Sequence, residues 1–328
     1  MSSLIDTFNR SHNYLRISLT DKCNLRCQYC MPEDPNFMHN SKLMTANEIT
    51  KLAKLFVDTY GIKKVRLTGG EPLARADLSD ILSELSKLDI ELSLTTNGIL
   101  LDKHFESIIS AGIKSINISL DTLKSERFKM LTRRDTFERV WKNIIRATES
   151  FIYIKLNVVA MKGINDDELL DFVRLSRELP IHIRFIEFMP FSGNKWERAK
   201  VITQNEILDI IASEERFEKV KDSKHSTARA YKLNNSKGTF AIISTISNGF
   251  CSNCNRIRLT ADGKIRNCLF DRGEMDLLRP LRNGEDVCNK IEESIKNKKA
   301  QFGGIPNFEK EAQLRAELDK RSMLKIRG

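Results

Sequence analysis

Short apolar runs alternate with amphipathic stretches along the first 190 residues of the chain. Runs rich in Ile, Val, Leu and Phe, each bounded by turn residues, predict strands at 15–19, 64–68, 91–96, 115–120, 153–160 and 181–188. Between them apolar residues recur at helical spacing, as in Ile49, Leu52, Ala53 and Phe56, in Leu78, Ile81, Leu82 and Leu85, and in Phe137, Val140, Trp141 and Ile144. Thr45, with Glu48 three positions on, predicts a capping box before the first of these helices. Strands alternating with helices predict an α/β fold with a parallel sheet and right-handed crossovers. Six such units are two short of an eight-fold barrel, so the pattern leaves either an open sheet or an incomplete barrel closed by something else.

After Pro190 the rhythm changes, which divides the chain into residues 1–190 and 191–328. The second part reads as a loop (191–198), a short helix (203–212), a strand (239–247), a hairpin (256–260 with 264–269) and a charged helix (284–299). Ala261-Asp262-Gly263 supplies the hairpin's turn signal. The longest apolar stretches, 151–161 and 181–191, are interrupted by Lys155 and by Arg184 and Glu187, so they are strands rather than membrane spans. Met1 to Arg10 carries no apolar signal core, and a cytoplasmic protein is expected.

Hydrophobic residues make up 41% of the 328, enough for a core that needs no staple. Lys plus Arg outnumber Asp plus Glu by 54 to 44; this balance of +10 suggests an anionic partner but does not distinguish nucleic acid, nucleotide or no specific partner. The basic residues are placed unevenly. Arg256, Arg258, Lys264 and Arg266 cluster around the hairpin against one acid, Asp262. On a strand Arg256 and Arg258 share a face, and planar guanidiniums grip phosphate bidentately. Lys64 and Arg66 stand two apart on the second strand, and Arg16 and Arg184 lie on others. Charges inside apolar strands favour ligand binding over a solvated surface. No G-x4-G-K-[ST] motif is present, which excludes a P-loop nucleotide site, and no Ser/His/Asp hydrolase motif stands out.

The seven cysteines cannot form a fully paired disulfide set. They fall as Cys23-x3-Cys27-x2-Cys30, Cys251-x2-Cys254-x13-Cys268, and a lone Cys288 at core spacing in a helical pattern. Three thiols on a loop suit zinc or an iron–sulfur cluster. His12 and His39 are within sequence reach as a fourth zinc ligand. Against zinc, the first triad follows the first strand of a parallel array, where chemistry gathers in such folds.

The first triad, with Tyr29 before its third cysteine, resembles the signature of radical S-adenosylmethionine enzymes, and Gly69-Gly70-Glu71-Pro72 is similar to their methionine-binding loop. The stretch Phe250-Cys251-Ser252-Asn253-Cys254-Asn255-Arg256-Ile257-Arg258-Leu259-Thr260, followed by Asp262-Gly263 and Cys268-Leu269, resembles the GTP 3′,8-cyclase family of molybdenum cofactor biosynthesis. Thr95-Thr96-Asn97-Gly98, Asn117-Ile118-Ser119-Leu120-Asp121, Lys155-Leu156-Asn157, Gly163-Ile164-Asn165-Asp166 and Arg184-Phe185-Ile186-Glu187-Phe188-Met189 extend the resemblance over nearly the whole chain.

That resemblance implies an incomplete (β/α)₆ TIM-like barrel whose open side is covered by a C-terminal α+β domain. Cys23, Cys27 and Cys30 would hold a [4Fe–4S] cluster that cleaves S-adenosylmethionine, contacted by Tyr29, Gly70, Ser119 and Met189. The 5′-deoxyadenosyl radical would take the 3′ hydrogen of GTP, and the ribose radical would close onto C8 of guanine. Cys251, Cys254 and Cys268 would hold a second [4Fe–4S] cluster that binds the guanine. Arg16, Lys64, Arg66, Thr95, Lys155, Arg184, Arg256, Ile257 and Arg258 would contact GTP, with Arg256 and Arg258 also catalytic. The implied partners are an electron donor such as flavodoxin or ferredoxin, a companion enzyme that converts the product to the pyranopterin, and a second copy in a homodimer. Neither a membrane nor a nucleic acid is implied.

The family pattern ends in Gly-Gly, whereas this chain carries Arg327-Gly328, and reduced cyclisation is expected from the added charge and the restricted φ. Two other readings compete. One is a peptide-modifying radical enzyme, which would carry more C-terminal cysteines. The other is a basic zinc protein for nucleic acid, which would use more exposed aromatics than the 7% present.

Overall fold

The computed structural model describes residues 2–305 and Phe308, apart from Glu33, Phe151, Gly193, Lys224 and Arg272. The strands are β1 (Tyr14–Ser18), β2 (Lys64–Thr68), β3 (Glu91–Thr96), β4 (Ser115–Ser119), β5 (Tyr153–Ala160), β6 (Ile181–Glu187), β7 (Phe217–Lys219), β8 (Arg229–Leu233), β9 (Thr239–Ile243), β10 (Arg256–Leu259), β11 (Lys264–Arg266) and β12 (Met275–Asp276). The helices are α1 (Ala46–Tyr60), α2 (Leu78–Leu85), α3 (Leu101–Ser110), α4 (Ser125–Thr132), α5 (Phe137–Thr148), α6 (Leu169–Glu178), α7 (Gln204–Ala212), α8 (Leu278–Arg282) and α9 (Cys288–Lys296).

Each of the first six strands falls within a residue of its expected place, and Thr45 and Glu48 form the expected capping box on α1. The sheet is larger than six strands. Its order is β12-β11-β10-β1-β2-β3-β4-β5-β6-β9-β8-β7. Both β10 on β1 and β9 on β6 pair in parallel, so eight consecutive strands run the same way. The C-terminal part of the chain thus extends both edges of the N-terminal sheet and shares its core.

The two faces of this sheet differ. One carries Leu15, Ile17, Val65, Leu67, Leu94, Ile116, Ile118, Ile154, Leu156, Ile183 and Phe185, all buried against helices in one continuous core. At about 25 cal/mol per Å² this face supplies the main stabilisation. The other face is polar. Parallel strands covered by helices on both faces read as unbroken apolar runs; here the polar alternation marks a face turned to a cavity.

Three local expectations are corrected. The strand expected at 239–247 stops at Ile243, because buried Glu187 accepts the backbone N–H groups of Ile246 (2.7 Å) and Ser247 (3.0 Å) and draws them out of the ladder. The last helix is shorter than 284–299: Gly284 has φ of 75° just after α8, and Asp286 accepts the Cys288 N–H at 3.0 Å at the start of α9. Cys288 is half-buried rather than a fully buried core thiol. Among the described residues no helix is long and apolar enough to cross a membrane.

Candidate active site

One cavity of about 460 Å³ opens on the polar face of the sheet. Strands β1 to β6 and β10 each contribute lining residues, and Ile243 and Thr245 add to it from the end of β9 and just beyond. All six triad cysteines line it, as do Tyr29, Gly70, Ser119 and Met189, and so do Arg16, Lys64, Arg66, Thr95, Lys155, Arg184, Arg256 and Arg258. Ile257 is not among the lining residues. It lies between the two arginines in sequence, so its side chain goes to the opposite face and is fully buried in the core.

Strand direction places the two triads at opposite ends. Cys23, Cys27 and Cys30 follow β1, at the C-terminal ends of the parallel strands. Cys251 and Cys254 precede β10, which is parallel to β1, and Cys268 follows the antiparallel β11. The second triad is therefore at the N-terminal end of β10. A strand of four or five residues, about 15 Å, separates the two ends.

The first triad's loop is held by close backbone approach and by buried carboxylates. A Cβ on Gly70 would lie 2.2 Å from the Lys22 carbonyl oxygen, and one on Gly69 would lie 2.7 Å from that of Thr20. The glycines thus let the loop after β2 pack on the cysteine loop, where Gly70 N–H donates to Thr20 O (2.7 Å) and Glu71 N–H to Lys22 O (2.8 Å). Fully buried Glu71 accepts from the Thr96 hydroxyl (2.6 Å), the Asn97 N–H (2.7 Å) and the Leu73 N–H (3.0 Å). Asn97 in turn donates to Asn24 Oδ1 at 2.7 Å and faces Cys23 Sγ at 3.9 Å. The Tyr29 hydroxyl donates to Asp121, whose other oxygen accepts the Val159 N–H at 2.8 Å. Burial, with Asp121 beside it, pushes the Tyr29 phenol well up.

Between the triads lie cations. The register sets Arg258, Arg16 and Arg66 in one lateral row on β10, β1 and β2, at about 4.8 Å per strand. The next row holds Arg256, Tyr14 and Lys64. Across the cavity Lys155 pairs with His182 and Asn157 with Arg184. The Nε atoms of Arg16, Arg66 and Arg184 are buried without a hydrogen-bond partner. Burial and neighbouring guanidiniums lower Arg16 well below its usual value, Arg258 to about 10 and Arg184 to about 9. The same causes bring Lys155 to about 8 and His182 to about 3. Burial alone would raise the Tyr14 phenol, yet Arg66, Arg16 and Lys64 pull it below its usual value. Desolvated like charges repel strongly, and a bound anion would relieve that repulsion. Two cations of the hairpin are not part of this set: Arg266 pairs with Glu274 at 2.6 Å, and Lys264 pairs with Asp262 at 3.2 Å.

At the second triad, burial raises the Cys254 thiol, but Arg256 and Lys298 outweigh it and bring it to about 6. None of the six triad cysteines is in a disulfide. Among the described residues no three Cys, His, Asp or Glu side chains converge closely enough to hold a single metal ion. His12 is turned to Asp6 and Lys298, and His39 caps a short helical turn at Asn40–Lys42.

Sequence reasoning did not single out Asn117, Asn157 and His182 as cavity residues, although the first two lie in quoted motifs. Their signal was the polar alternation in β4, β5 and β6. The segment 225–228 also lines the cavity, with His225 Nδ1 3.2 Å from the Asn253 carbonyl oxygen, and nothing in its sequence marked it. Arg327 and Gly328 lie outside the described residues.

The Radical SAM superfamily model matches residues 17–176, and the Molybdenum Cofactor Synthesis C model matches residues 181–303. The chain is 44% identical over 319 residues to the mitochondrial GTP 3′,8-cyclase of Arabidopsis thaliana, across 94% of this chain and 81% of that one. The chain belongs to the GTP 3′,8-cyclase family. It is also 44% identical over 313 residues to molybdenum cofactor biosynthesis protein 1 of Bos taurus, across 93% of this chain and 49% of that one, so it spans about half the length of that relative. The crystal structure of Streptococcus suis SuiB bound to S-adenosylmethionine superposes with a TM-score of 0.62, covering 92% of this chain and 69% of that one. At 17% identity this is a likeness of fold, and it fits a radical S-adenosylmethionine TIM-like α/β architecture. Membership of the superfamily implies a [4Fe–4S] cluster and S-adenosylmethionine.

Proposed function

We propose that this chain is a GTP 3′,8-cyclase acting early in molybdenum cofactor biosynthesis. The observation that carries the reading is the set of buried and half-buried cations between two cysteine triads in one cavity. The row of Arg16, Arg66 and Arg258, with Arg184 and Lys155 opposite, supplies donors for a triphosphate. Thr95, Asn117 and Asn157 line the same cavity and offer hydrogen bonds to ribose or base. Cys23, Cys27 and Cys30 would hold the family's cluster. Cys251, Cys254 and Cys268 would hold a second; both triads line the one cavity, and thiolates are the ligands such clusters take. The clusters and S-adenosylmethionine supply the radical chemistry; the chain binds, orients and excludes water. Tyr29, Gly70, Ser119 and Met189 line the cavity and would contact S-adenosylmethionine, and Arg256 and Arg258 adjoin the second triad, where base and substrate charge would meet.

The finer architecture belongs to the same reading. Residues 244–255 run from β9, beside β6, to β10, beside β1, and the strands between them line one cavity. That path favours an incomplete barrel whose open side is crossed by the C-terminal part, with the division near residue 190. A flavodoxin- or ferredoxin-like electron donor, a companion enzyme that consumes the cyclised product and a homodimer are proposed on family grounds. An anaerobic assay with GTP, S-adenosylmethionine and reductant tests the reading. It should yield 5′-deoxyadenosine together with a cyclised guanosine triphosphate, from protein holding about eight irons. Cleavage of S-adenosylmethionine without loss of GTP would sink it.

A further inference from the structure

A second buried charge network lies behind the cavity, and the chemistry above does not use it. Asp6, Arg10, His12 and Lys298 are each at least nine-tenths buried. Arg10 Nε donates to Asp6 Oδ2 at 2.6 Å. Its terminal nitrogens donate to the carbonyl oxygens of Cys251 (2.8 Å), Ala300 (2.7 Å) and Lys299 (2.8 Å). His12 Nε2 lies 3.0 Å from Asp6 Oδ2, and His12 Nδ1 lies 3.4 Å from Lys298 Nζ. A carboxylate only accepts and an ammonium only donates. These partners therefore fix the tautomer: Nε2–H donates to Asp6, and Nδ1 accepts from Lys298.

An ammonium has three N–H groups, and Lys298 has three acceptors. Besides His12 Nδ1 they are the Arg256 carbonyl oxygen at 2.9 Å and Cys254 Sγ at 3.6 Å. A buried Lys is costly unless fully partnered. Its placement here means that one donor is aimed at sulfur. The same ammonium grips the backbone of Arg256, the first residue of β10.

We infer that Lys298, oriented by Asp6 through His12, is a positioning residue that donates a charged N–H···S bond to Cys254 and raises the reduction potential of the centre this thiolate holds. The inference rests on the reading that the second triad carries a cluster. Hydrogen bonds to sulfur and local net charge are levers on cluster potential. Reduction adds negative charge beside the sulfur, which a fixed cation stabilises.

The test is a redox titration of the reconstituted full chain, followed by electron paramagnetic resonance, with iron counted in the same samples. Lys298→Met keeps the stem and removes the donor. It is expected to retain both clusters and to shift the second to lower potential, while the first stays put; Lys298→Arg should restore most of the shift. An unchanged second potential in fully loaded Lys298→Met overturns it. If Lys298→Met loses the second cluster or all its iron, His12→Gln decides in its place: a lower second potential supports the inference, and an unmoved one overturns it. Unaltered protein that binds only one cluster defeats the two-cluster reading instead, a result separable from all of these by the iron count.

Discussion

The two ends of the cavity offer the same ligands in different electrical settings. At the end after β1, Arg26 donates to the Cys23 carbonyl oxygen at 2.7 Å, but the polar groups packed around the cysteine loop are the carboxylates of Glu71 and Asp121 and the amide of Asn97. At the end before β10, it is fastened by cations: Arg10 on the Cys251 carbonyl, and Lys298 on Cys254 and the Arg256 carbonyl. A sulfonium cosubstrate suits the first setting and a triphosphate the second. On the proposed reading, the contrast is what lets one cavity hold two clusters without exchanging their ligands.

The most severe way to break this comparison is to remove a thiol at each end. Cys27→Ala should lose roughly half of the iron and all S-adenosylmethionine cleavage. Cys254→Ala should lose the other half, keep cleavage, and stop GTP consumption. Iron analysis and 5′-deoxyadenosine measurement check both. Equal loss of cleavage in the two variants would mean that the ends are not separate in function.

Next in size is the cation set. Arg184 is half-buried, with a buried, unpartnered Nε and like charges nearby. Arg184→Met should weaken GTP binding by about 10–100-fold, the worth of one charge-assisted hydrogen bond. The same variant should raise the thermal midpoint without GTP, because an apolar side chain replaces a partly desolvated charge set among like charges. Equilibrium binding and thermal melts read the two effects. A fall in both would make Arg184 an ordinary structural residue.

The same contrast shows what could be read from residues alone. The six parallel strands were legible because short β-branched runs sit between helices with clean i, i+3, i+4 spacing. The cation row was legible in part: Arg16, Arg66 and Arg258 are conspicuous inside apolar strands, but their adjacency depends on β10 joining β1, a pairing across more than 240 residues. The same long-range pairing hid the opposite placement of the triads, and local pattern carries no information on it. Arg266 and Lys264 looked equivalent to Arg256 and Arg258; only the fold brings Glu274 to Arg266. Lys298 was invisible, since one lysine in a basic C-terminal stretch looks solvated until Asp6, His12 and Cys254 are seen around it.

A milder change probes the acid-fastened end. Each Glu71 oxygen accepts a backbone N–H. Glu71→Gln must therefore turn its new amide N–H₂ toward one of those donors. The cost should be about 1–3 kcal/mol, the range for a buried unsatisfied group. A lower thermal midpoint and faster iron loss are expected, with the loss confined to the first triad. Uniform loss from both triads would show that Glu71 supports the whole sheet rather than one end of the cavity.

The smallest expected effect is a pH dependence at the cation set. Burial and Arg184 lower Lys155 from an ordinary 10.5 to about 8 in the folded chain. Between these values the unfolded chain binds the extra proton, so stability without GTP rises with pH from about 8 toward about 10. Below pH 8 the lysine is charged in both states and adds no further slope. Lys155→Met should flatten this part of the profile, shifting the thermal midpoint at the alkaline end by only a few degrees relative to neutral pH, at about 2–4 °C per kcal/mol. Bound triphosphate should flatten it as well, because a nearby anion restores the lysine's charged form. Identical slopes with and without GTP would mean that the anion does not reach Lys155, and the cation set would then end at the arginine row of β10, β1 and β2.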